Sequence, residues 1–326
     1  MPWKGEKDPY KIWLSEIILQ QTRVEQGLHY YKSFINIFPD VHKLARAPGA
    51  KVFKLWEGLG YYTRCRNLIA SAKYISRELK GKFPDKYEAI KALKGVGPYT
   101  ASAIASFAYN LPHAVVDGNV FRVLARVFGI DKATDSVKGK KYFTTLAQEL
   151  LDKKQPDLYN QAIMDFGATV CRPATPLCSG CGFKKHCFAF LNNNVNELPV
   201  KGKKIQIKKR WFYYLVLENK NTIAIRQRTG KDIWQGLYEF PLIEAEKETD
   251  IRIILKMASR NGWLSKNDKL ISVSPIHKQK LSHQLIACQF VQVMLKKKNA
   301  ADFFRVKRNK LSKYAFPKLV NQYLRR

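Results

Sequence analysis

The chain has 326 residues, enough for two domains of ordinary size that each bury a hydrophobic core. Hydrophobic residues make up 46% and charged residues 26%, a composition that excludes a disordered or fibrous protein. The 58 Lys and Arg residues outnumber the 26 Asp and Glu residues, so the formal net charge is +32. This excess favours a polyanionic partner, with nucleic acid the first candidate and an anionic membrane surface the second.

The sequence shows no signal for membrane insertion or secretion. No apolar run reaches the ~18 residues that a spanning helix needs, and the first residues, Met1–Asp8, lack the apolar core of a secretory signal. Six cysteines in such a chain favour free thiols, metal ligation or catalysis over disulfides. We therefore expect a cytoplasmic protein that binds a polyanion.

Residues 10–190 are predicted to be mainly helical, because apolar side chains recur at intervals of three and four. Turn signals rich in Gly and Pro separate the helical segments, and a cysteine-rich segment, Cys171–Cys187, ends this region. The predicted helices are Ile12–Val24, Leu68–Leu79, Thr100–Tyr109, Val120–Phe128 and Tyr142–Leu151.

The composition changes after residue 190. Residues 191–209 are predicted to form an exposed basic linker, and the alternation of apolar and polar residues beyond it favours strands. The last stretch, Lys296–Arg326, carries eleven basic residues and one acid, which fits a solvated surface helix and a phosphate-contacting segment equally well. The predicted strands are Trp211–Leu217, Thr222–Arg226, Leu270–Ser274 and Leu285–Leu295. The fold class is therefore a mainly α domain over 1–190, a linker over 191–209 and a smaller α+β domain over 210–326.

Four cysteines, Cys171, Cys178, Cys181 and Cys187, have the spacing C-x6-C-x2-C-x5-C. Four thiolates can ligate one Zn²⁺ or the four corners of an iron–sulfur cube, and the spacing alone leaves both open. Either metal would be structural, because no open coordination position remains for a substrate.

The segment Leu93–Ala101 predicts a turn that binds phosphate. Gly95 and Gly97 allow a tight turn, and Pro98 suits the first turn of the following helix, which continues through Thr100. Backbone N–H groups at such a helix start attract anions. The alternative is a plain connection between two helices.

Two carboxylates have opposite predicted environments. Glu16 has Ile12, Trp13 and Leu19 at helical spacing, so burial would raise its pKa, as suits a general acid. Asp117 precedes a predicted helix, whose N-terminus stabilises the anion. One neutral and one charged carboxyl can divide the work of cleaving a glycosidic bond, although a cap and a solvated charge are the ordinary roles of such residues.

In combination these motifs resemble the MutY-type adenine DNA glycosylases of the helix-hairpin-helix superfamily, over essentially the whole chain. The motifs occur in family order: Trp13–Thr22, Gly58–Tyr62, Leu93–Ala101, Val116–Val120 and the four cysteines. The resemblance implies a six-helix-barrel glycosylase domain over 1–190 with an iron–sulfur subdomain. It also implies a Nudix-like domain over 210–326 and excision of adenine paired with 8-oxoguanine or guanine in base excision repair.

The resemblance also implies individual roles. Glu16 would protonate the adenine ring, Asp117 would stabilise or trap the sugar cation, Asn119 would orient the acid–water network and Tyr99 would support the transition state. Related enzymes that also cut the strand carry lysine at the position of Tyr99, and tyrosine cannot form an imine. We therefore predict a monofunctional glycosylase. The cofactor implied is a [4Fe-4S] cluster on the four cysteines.

Contacts with double-stranded DNA follow from the same resemblance. Gln21 and Tyr61 would enter the duplex as adenine is flipped out, and Gly95, Gly97 and Thr100 would hold the phosphate backbone. Ser282 and His283 would inspect the oxidised guanine, whereas Leu281 stands where relatives often have an aromatic residue.

The Nudix-like domain is predicted not to hydrolyse nucleotides, because Glu244, Glu246 and Glu248 do not form the clustered acids that hold Mg²⁺. In the family a helix usually precedes the segment matched here by Pro2-Trp3-Lys4, so this sequence lacks a packing helix if the protein's own start lies upstream. We expect a monomer without a membrane partner, and the linker is a candidate site for replication or repair proteins.

Three other functions compete with this interpretation. An endonuclease III-like glycosylase/lyase shares the fold and cysteines, but Tyr99 and the C-terminal domain count against it. A non-catalytic DNA-binding protein would tolerate loss of Glu16 and Asp117, yet both are present. A redox carrier would leave the charge of +32 and the hairpin unexplained.

Overall fold

The computed structural model describes residues 4–202, 206–297 and 302–325. The chain divides into two compact units, Met1–Arg46 with Asn67–Lys204 and Ala47–Arg66 with Ile205–Arg326. No sequence feature predicts that 47–66 belongs to the second unit, and the boundaries at 190 and 210 stay a prediction. None of the helices in the described ranges is long and apolar enough to cross a membrane.

The described residues up to 202 are helical, which confirms the mainly α class of this region. Helices α7 and α8 are central, because α7 packs against α1, α6 and α10, and α8 packs against α9, α10 and α11. The helices are α1 Pro9–Leu19, α2 Val24–Ile37, α3 Val41–Arg46, α4 Gly49–Trp56, α5 Thr63–Arg77, α6 Tyr87–Lys91, α7 Pro98–Tyr109, α8 Gly118–Phe128, α9 Val137–Leu150, α10 Pro156–Thr169 and α11 Phe188–Leu191.

The predicted helix Ile12–Val24 is wrong in its last third. Helix α1 ends at Leu19, and the backbone leaves the helix before α2 begins at Val24. Gln21, in the connection, has a left-handed φ of 55°. The error arises because Leu19 and Val24 continue the apolar spacing across a break that side-chain periodicity does not register.

A core cluster of the first unit forms around α8 and α9. Leu124 and Ala125 of α8 meet Phe143 and Ala147 of α9, together with Leu198. Gly129 ends α8 in the left-handed conformation with φ 66°, as is common for a glycine at that position.

The second unit contains a mixed sheet, which confirms the predicted α+β class. The strand order is β3-β2-β1-β7-β5, with β4 against β1, β6 against β7 and β8 against β2. Strands β1 and β7 are parallel, and every other described pairing is antiparallel. The elements are β1 Lys208–Asn219, β2 Thr222–Gln227, β3 Tyr238–Glu239, β4 Leu242–Ala245, α12 Ile251–Arg260, β5 Lys269–Val273, β6 His277–Lys280, β7 Gln284–Met294, β8 Phe304–Lys307 and α13 Lys318–Leu324.

Strand β1 is buried on both faces, since residues 212–217 are at most 1% exposed. Its inner residues pack with β7 and α12 in a second core cluster that includes Trp263 and Phe303. A continuous apolar strand of this kind is typical of the middle of a covered sheet.

The C-terminal stretch is not a solvated surface helix. Residues 304–307 form β8, which pairs with β2, and α13 follows. Phe303, Phe316 and Val320 are buried. The basic residues lie between these apolar positions, so charge counting alone missed a segment that contributes to the core.

Candidate active site

The two carboxylates singled out in the sequence line one cavity of about 770 Å³ in the first unit. Tyr99, Asn119 and Gln21 line the same cavity. The structure thus brings together the four side chains to which catalytic roles were assigned, from helices α1, α7 and α8.

Glu16 lies in the middle of α1 and is 8% exposed. Burial raises the pKa of this carboxyl to about 7, a hydrogen bond with the Tyr99 side chain opposes the shift, and the negative charge of Asp117 adds to it. Burial also raises the pKa of Tyr99 well above its usual value, with further contributions from both carboxylates. Glu16 can therefore carry a proton near neutral pH.

Asp117 is the N-cap of α8. Its Oδ1 accepts hydrogen bonds from the backbone N–H groups of Asn119 and Val120, both at 2.8 Å, and its Oδ2 accepts from Asn119 Nδ2 at 2.7 Å. Three donors therefore fix the orientation of the Asp117 carboxylate at the start of α8.

Sequence reasoning missed Arg122, which ties this arrangement to the cysteine segment. Its Nη2 donates to Asn119 Oδ1 at 2.8 Å and to the carbonyl of Gly167 at 2.7 Å, and its Nε donates to the carbonyl of Cys171 at 2.6 Å. Arg122 is four residues after Gly118 on α8, but no sequence signal could identify carbonyl partners 45 and 49 residues away.

The hairpin between α6 and α7 has the predicted form. Gly95 has φ 82°, and Gly97 is the N-cap of α7, with Pro98 at its first position. Thr100 is 2% exposed, and its Oγ1 accepts a hydrogen bond from Gln20 Nε2 at 3.2 Å. The Thr100 hydroxyl faces the protein, so a phosphate contact there would use the backbone N–H.

The two residues predicted to enter the duplex share a backbone feature. Gln21 has φ 55° and Tyr61 has φ 48°, both in the left-handed region that non-glycine residues seldom adopt. Gln21 is exposed in the first unit, and Tyr61 is 45% exposed in the second unit.

A second cavity of about 400 Å³ lies within the second unit and is lined by Tyr61, Ser282 and His283. Ser282 and His283 belong to the loop between β6 and β7, and the hydroxyls of Tyr61 and Ser282 are hydrogen-bonded to each other. The structure therefore brings three of the residues assigned to DNA into one place.

The four cysteines of the C-x6-C-x2-C-x5-C segment line one small cavity of about 30 Å³. Its other walls are largely apolar, including Phe166 and Phe183, and Arg126 Nη1 lies 3.5 Å from Cys171 Sγ. Burial raises the pKa of the Cys178 thiol, and the other three cysteines raise it further. Among the described residues no three His, Cys, Asp or Glu side chains are grouped around the position of a single ion.

These residues fit an iron–sulfur cube, whose four thiolates each bind a different iron and need not surround one ion. Arg126 supplies a cation beside the sulfurs, and it is fixed by the carbonyls of Arg172, Pro173 and Leu198 at 2.7, 2.9 and 3.0 Å. No local sequence signal identifies this arginine.

Of the N-terminal motif, Pro2 and Trp3 lie outside the described residues. Lys4 lines the first cavity and forms an ion pair with Asp165 at 2.5 Å.

Comparison with known proteins gives two family matches. Residues 14–152 match the HhH-GPD superfamily of base excision DNA repair proteins, and residues 212–326 match the NUDIX domain. An adenine DNA glycosylase of Buchnera aphidicola subsp. Baizongia pistaciae is 35% identical over 91% of this chain and 82% of its own length. Another, from Buchnera aphidicola subsp. Schizaphis graminum, is 35% identical over 86% of this chain and 77% of its own.

The helical region also matches a solved structure. A thermostable thymine-DNA glycosylase aligns with a TM-score of 0.54 and 29% identity over 59% of this chain and 88% of its own. The resemblance predicted from the motifs is confirmed by these matches. The chain belongs to the adenine DNA glycosylase family, and it is a DNA N-glycosylase of base excision repair.

Proposed function

We propose that the protein excises adenine paired with 8-oxoguanine or guanine in double-stranded DNA. The observation that carries this proposal is the shared cavity in which burial raises the pKa of Glu16 to about 7 while hydrogen bonds hold the Asp117 carboxylate at the start of α8. Cleavage of a glycosidic bond through a sugar cation needs this combination of a proton donor and a fixed negative charge.

In the proposed mechanism Glu16 donates its proton to a ring nitrogen of the flipped adenine, which turns the base into a better leaving group. Positive charge then develops on the sugar, and Asp117 stabilises it or forms a transient covalent bond to it before water attacks. Asn119 donates to Asp117 and keeps its carboxylate oriented, and Tyr99 supports the transition state beside both acids.

Tyr99, at the start of α7, indicates which products the reaction gives. Tyr99 has no amine to form a Schiff base with the sugar, so we propose that the enzyme releases adenine and leaves the strand intact.

The DNA contacts proposed here use both cavities. Gln21 and Tyr61 would occupy the duplex around the flipped base, Gly95, Gly97 and the Thr100 backbone would hold phosphates, and Ser282 with His283 would inspect the base opposite adenine.

We further propose a [4Fe-4S] cluster on Cys171, Cys178, Cys181 and Cys187. When bound, the cluster would cross-link the segment that follows α10 and would hold the carbonyl of Cys171 against Arg122. Cys178→Ser should lower the iron content of the purified protein and its visible absorption, whereas Cys288→Ser, which changes a buried cysteine of β7, should leave both unchanged.

Single-turnover cleavage of labelled duplexes tests the enzymatic proposal. The duplexes carry adenine opposite 8-oxoguanine, guanine or thymine, and each reaction is analysed with and without alkali, for the wild type and Glu16→Gln. Abasic product from the first two duplexes, strand breaks only after alkali, and loss of product in the variant are expected. Tight binding without abasic product would contradict the proposal and would favour a non-catalytic DNA-binding protein.

A further inference from the structure

Arg210 has an unusual number of partners for a residue outside the assigned sites. It lies on β1, is 8% exposed, and uses its guanidinium as a five-donor fork. Nε and Nη2 donate to the two oxygens of Glu244, both at 2.6 Å, while Nη1 and Nη2 donate to the two oxygens of Asp232, both at 2.8 Å. Nη1 also donates to Gln284 Oε1 at 3.1 Å.

Two of these partners line the second cavity on different segments. Asp232 lies in the loop between β2 and β3, next to Ile233 and Trp234, which also line the cavity. Gln284 follows the loop that carries Ser282 and His283. The third partner, Glu244, lies on β4, which pairs with β1. Arg210 therefore connects both loops of the cavity to the sheet.

Other polar side chains also hold the loop that contains Asp232, since Arg66 Nη1 donates to the carbonyl of Gln235 at 2.7 Å and Gln235 Nε2 donates to the carbonyl of Thr229 at 2.8 Å. Arg228 donates from Nη2 to Asp232 Oδ2 at 3.0 Å and from Nε to the carbonyl of Ile233 at 3.1 Å. The Arg210 guanidinium holds the pKa of Asp232 below its usual range. Asp232 is thus an anion shared by two arginines, and Arg210 contributes two short parallel hydrogen bonds to its carboxylate where Arg228 contributes one.

We propose that Arg210 is a positioning residue that sets the spacing of the two loops around the second cavity and thereby the preference for 8-oxoguanine over guanine opposite adenine. This inference rests on the proposed function, because it assigns base inspection to Ser282 and His283. Arg210 itself lines neither the first nor the second cavity. It acts through Asp232 and Gln284, and lysine could not replace it because a single ammonium group cannot form two bidentate pairs.

The test compares single-turnover excision rates on adenine–8-oxoguanine and adenine–guanine duplexes for the wild type, Arg210→Met, Arg210→Lys and Asp232→Asn. We expect the ratio of the two rates to fall about tenfold in all three variants, as for loss of charge-assisted hydrogen bonds. The adenine–guanine rate should stay near that of the wild type. Arg308→Met is the matched control, since Arg308 pairs with Glu218 at 2.9 Å and does not line the cavity.

A merely structural role predicts a different pattern, in which the melting temperature and both rates fall together while their ratio is unchanged. An unchanged ratio in a folded variant overturns the inference. If Arg210→Met does not fold, Asp232→Asn decides, because it leaves the pair of Arg210 with Glu244 intact. Failure of the wild type to release adenine from either duplex would refute the proposed function itself, and the inference with it.

Discussion

The four candidate catalytic side chains of the first cavity lie on helices or at a helix start, whereas the second cavity is lined largely by loops. Glu16 lies in the middle of α1, Tyr99 is the second residue of α7 and Asp117 caps α8. In the second unit Asp232 and Ser282 lie in loops rather than on helices. Asp232 is held by hydrogen bonds from Arg210 and Arg228.

This difference separates two tasks. Helix backbones fix the catalytic groups with hydrogen bonds that every helix makes, so chemistry depends on few side chains. Loops need specific side-chain partners, so under the proposed function discrimination between bases would depend on a network whose loss leaves the fold and the chemistry in place. Changes in the first unit should therefore affect both substrates equally, and changes in the second should alter their ratio.

The largest effect is expected from Asp117→Asn. The asparagine still caps α8, because Asn and Asp are similar N-cap residues, but the negative charge beside the sugar is lost. Excision should slow about 10³-fold on both duplexes, as for loss of a preorganised electrostatic contact, with little change in melting temperature. Asp8→Asn, the same change at the N-cap of α1, should leave the rates unaltered. A loss restricted to one duplex would contradict the comparison.

Glu16→Gln should stabilise the folded protein at neutral and higher pH. The folded-state pKa of Glu16 is about 7, above its ordinary 4.5, so the folded protein binds more protons and wild-type stability falls as pH rises between these values. Glutamine does not ionise, so the stability of the variant does not fall in this way. Its free energy of unfolding should exceed that of the wild type by on the order of 3 kcal/mol at pH 8 and by little at pH 4.5.

Urea unfolding at several pH values measures this difference. Glu6→Gln is the control of opposite sign, because a backbone hydrogen bond from Asp8 and the Lys11 side chain lower the pKa of Glu6. The contribution of Glu6 should be lost as pH falls. A pH-independent difference for Glu16→Gln would show that this carboxyl is not the buried acid described.

The hairpin glycines offer a matched pair of smaller changes. Gly95 has φ 82°, and an added Cβ would lie 2.7 Å from Asn67 Cβ, whereas a Cβ at Gly97 would meet nothing within 4 Å. Gly95→Ala should lower the free energy of unfolding by about 1–2 kcal/mol, and Gly97→Ala should have a smaller effect. Equal effects in urea unfolding would show that the left-handed turn does not constrain the hairpin.

The smallest effect is expected from Ser282→Ala, which removes the hydroxyl partner of Tyr61 in the second cavity. The excision rate opposite 8-oxoguanine should fall about fivefold, as for one lost hydrogen bond, and the rate opposite guanine should not change. Single-turnover assays on both duplexes measure this ratio. Equal losses on both duplexes would show that Ser282 acts in the excision step, and they would contradict the separation of roles between the two cavities.

The sequence predicts most of the helices and the burial of Glu16, because the signals for both are local. The apolar neighbours of Glu16 lie on its own helix, and the cap at Asp117 is formed with the next three residues. The positions of the four cysteines in one cavity also follow from a short segment.

The polar networks around both cavities depend on contacts between residues that are far apart in the sequence. Arg122 finds its carbonyl partner 49 residues away, and Arg210 reaches Gln284 across 74 residues. Only the tertiary packing and the strand register bring such pairs together. Thr100 shows a related limit. The sequence places this residue in the hairpin, but it does not predict that the hydroxyl turns away from solvent and accepts a hydrogen bond from Gln20.

The left-handed backbone at Gln21 has a consequence for evolution of this enzyme. An L residue in that conformation costs about 1 kcal/mol that glycine would avoid, and Gln21 is exposed, so it adds little to a core. Gln21→Gly should therefore melt at a higher temperature and excise adenine more slowly. At this position a search for thermostable variants would select against the repair activity, and engineering for stability should leave the residue unchanged.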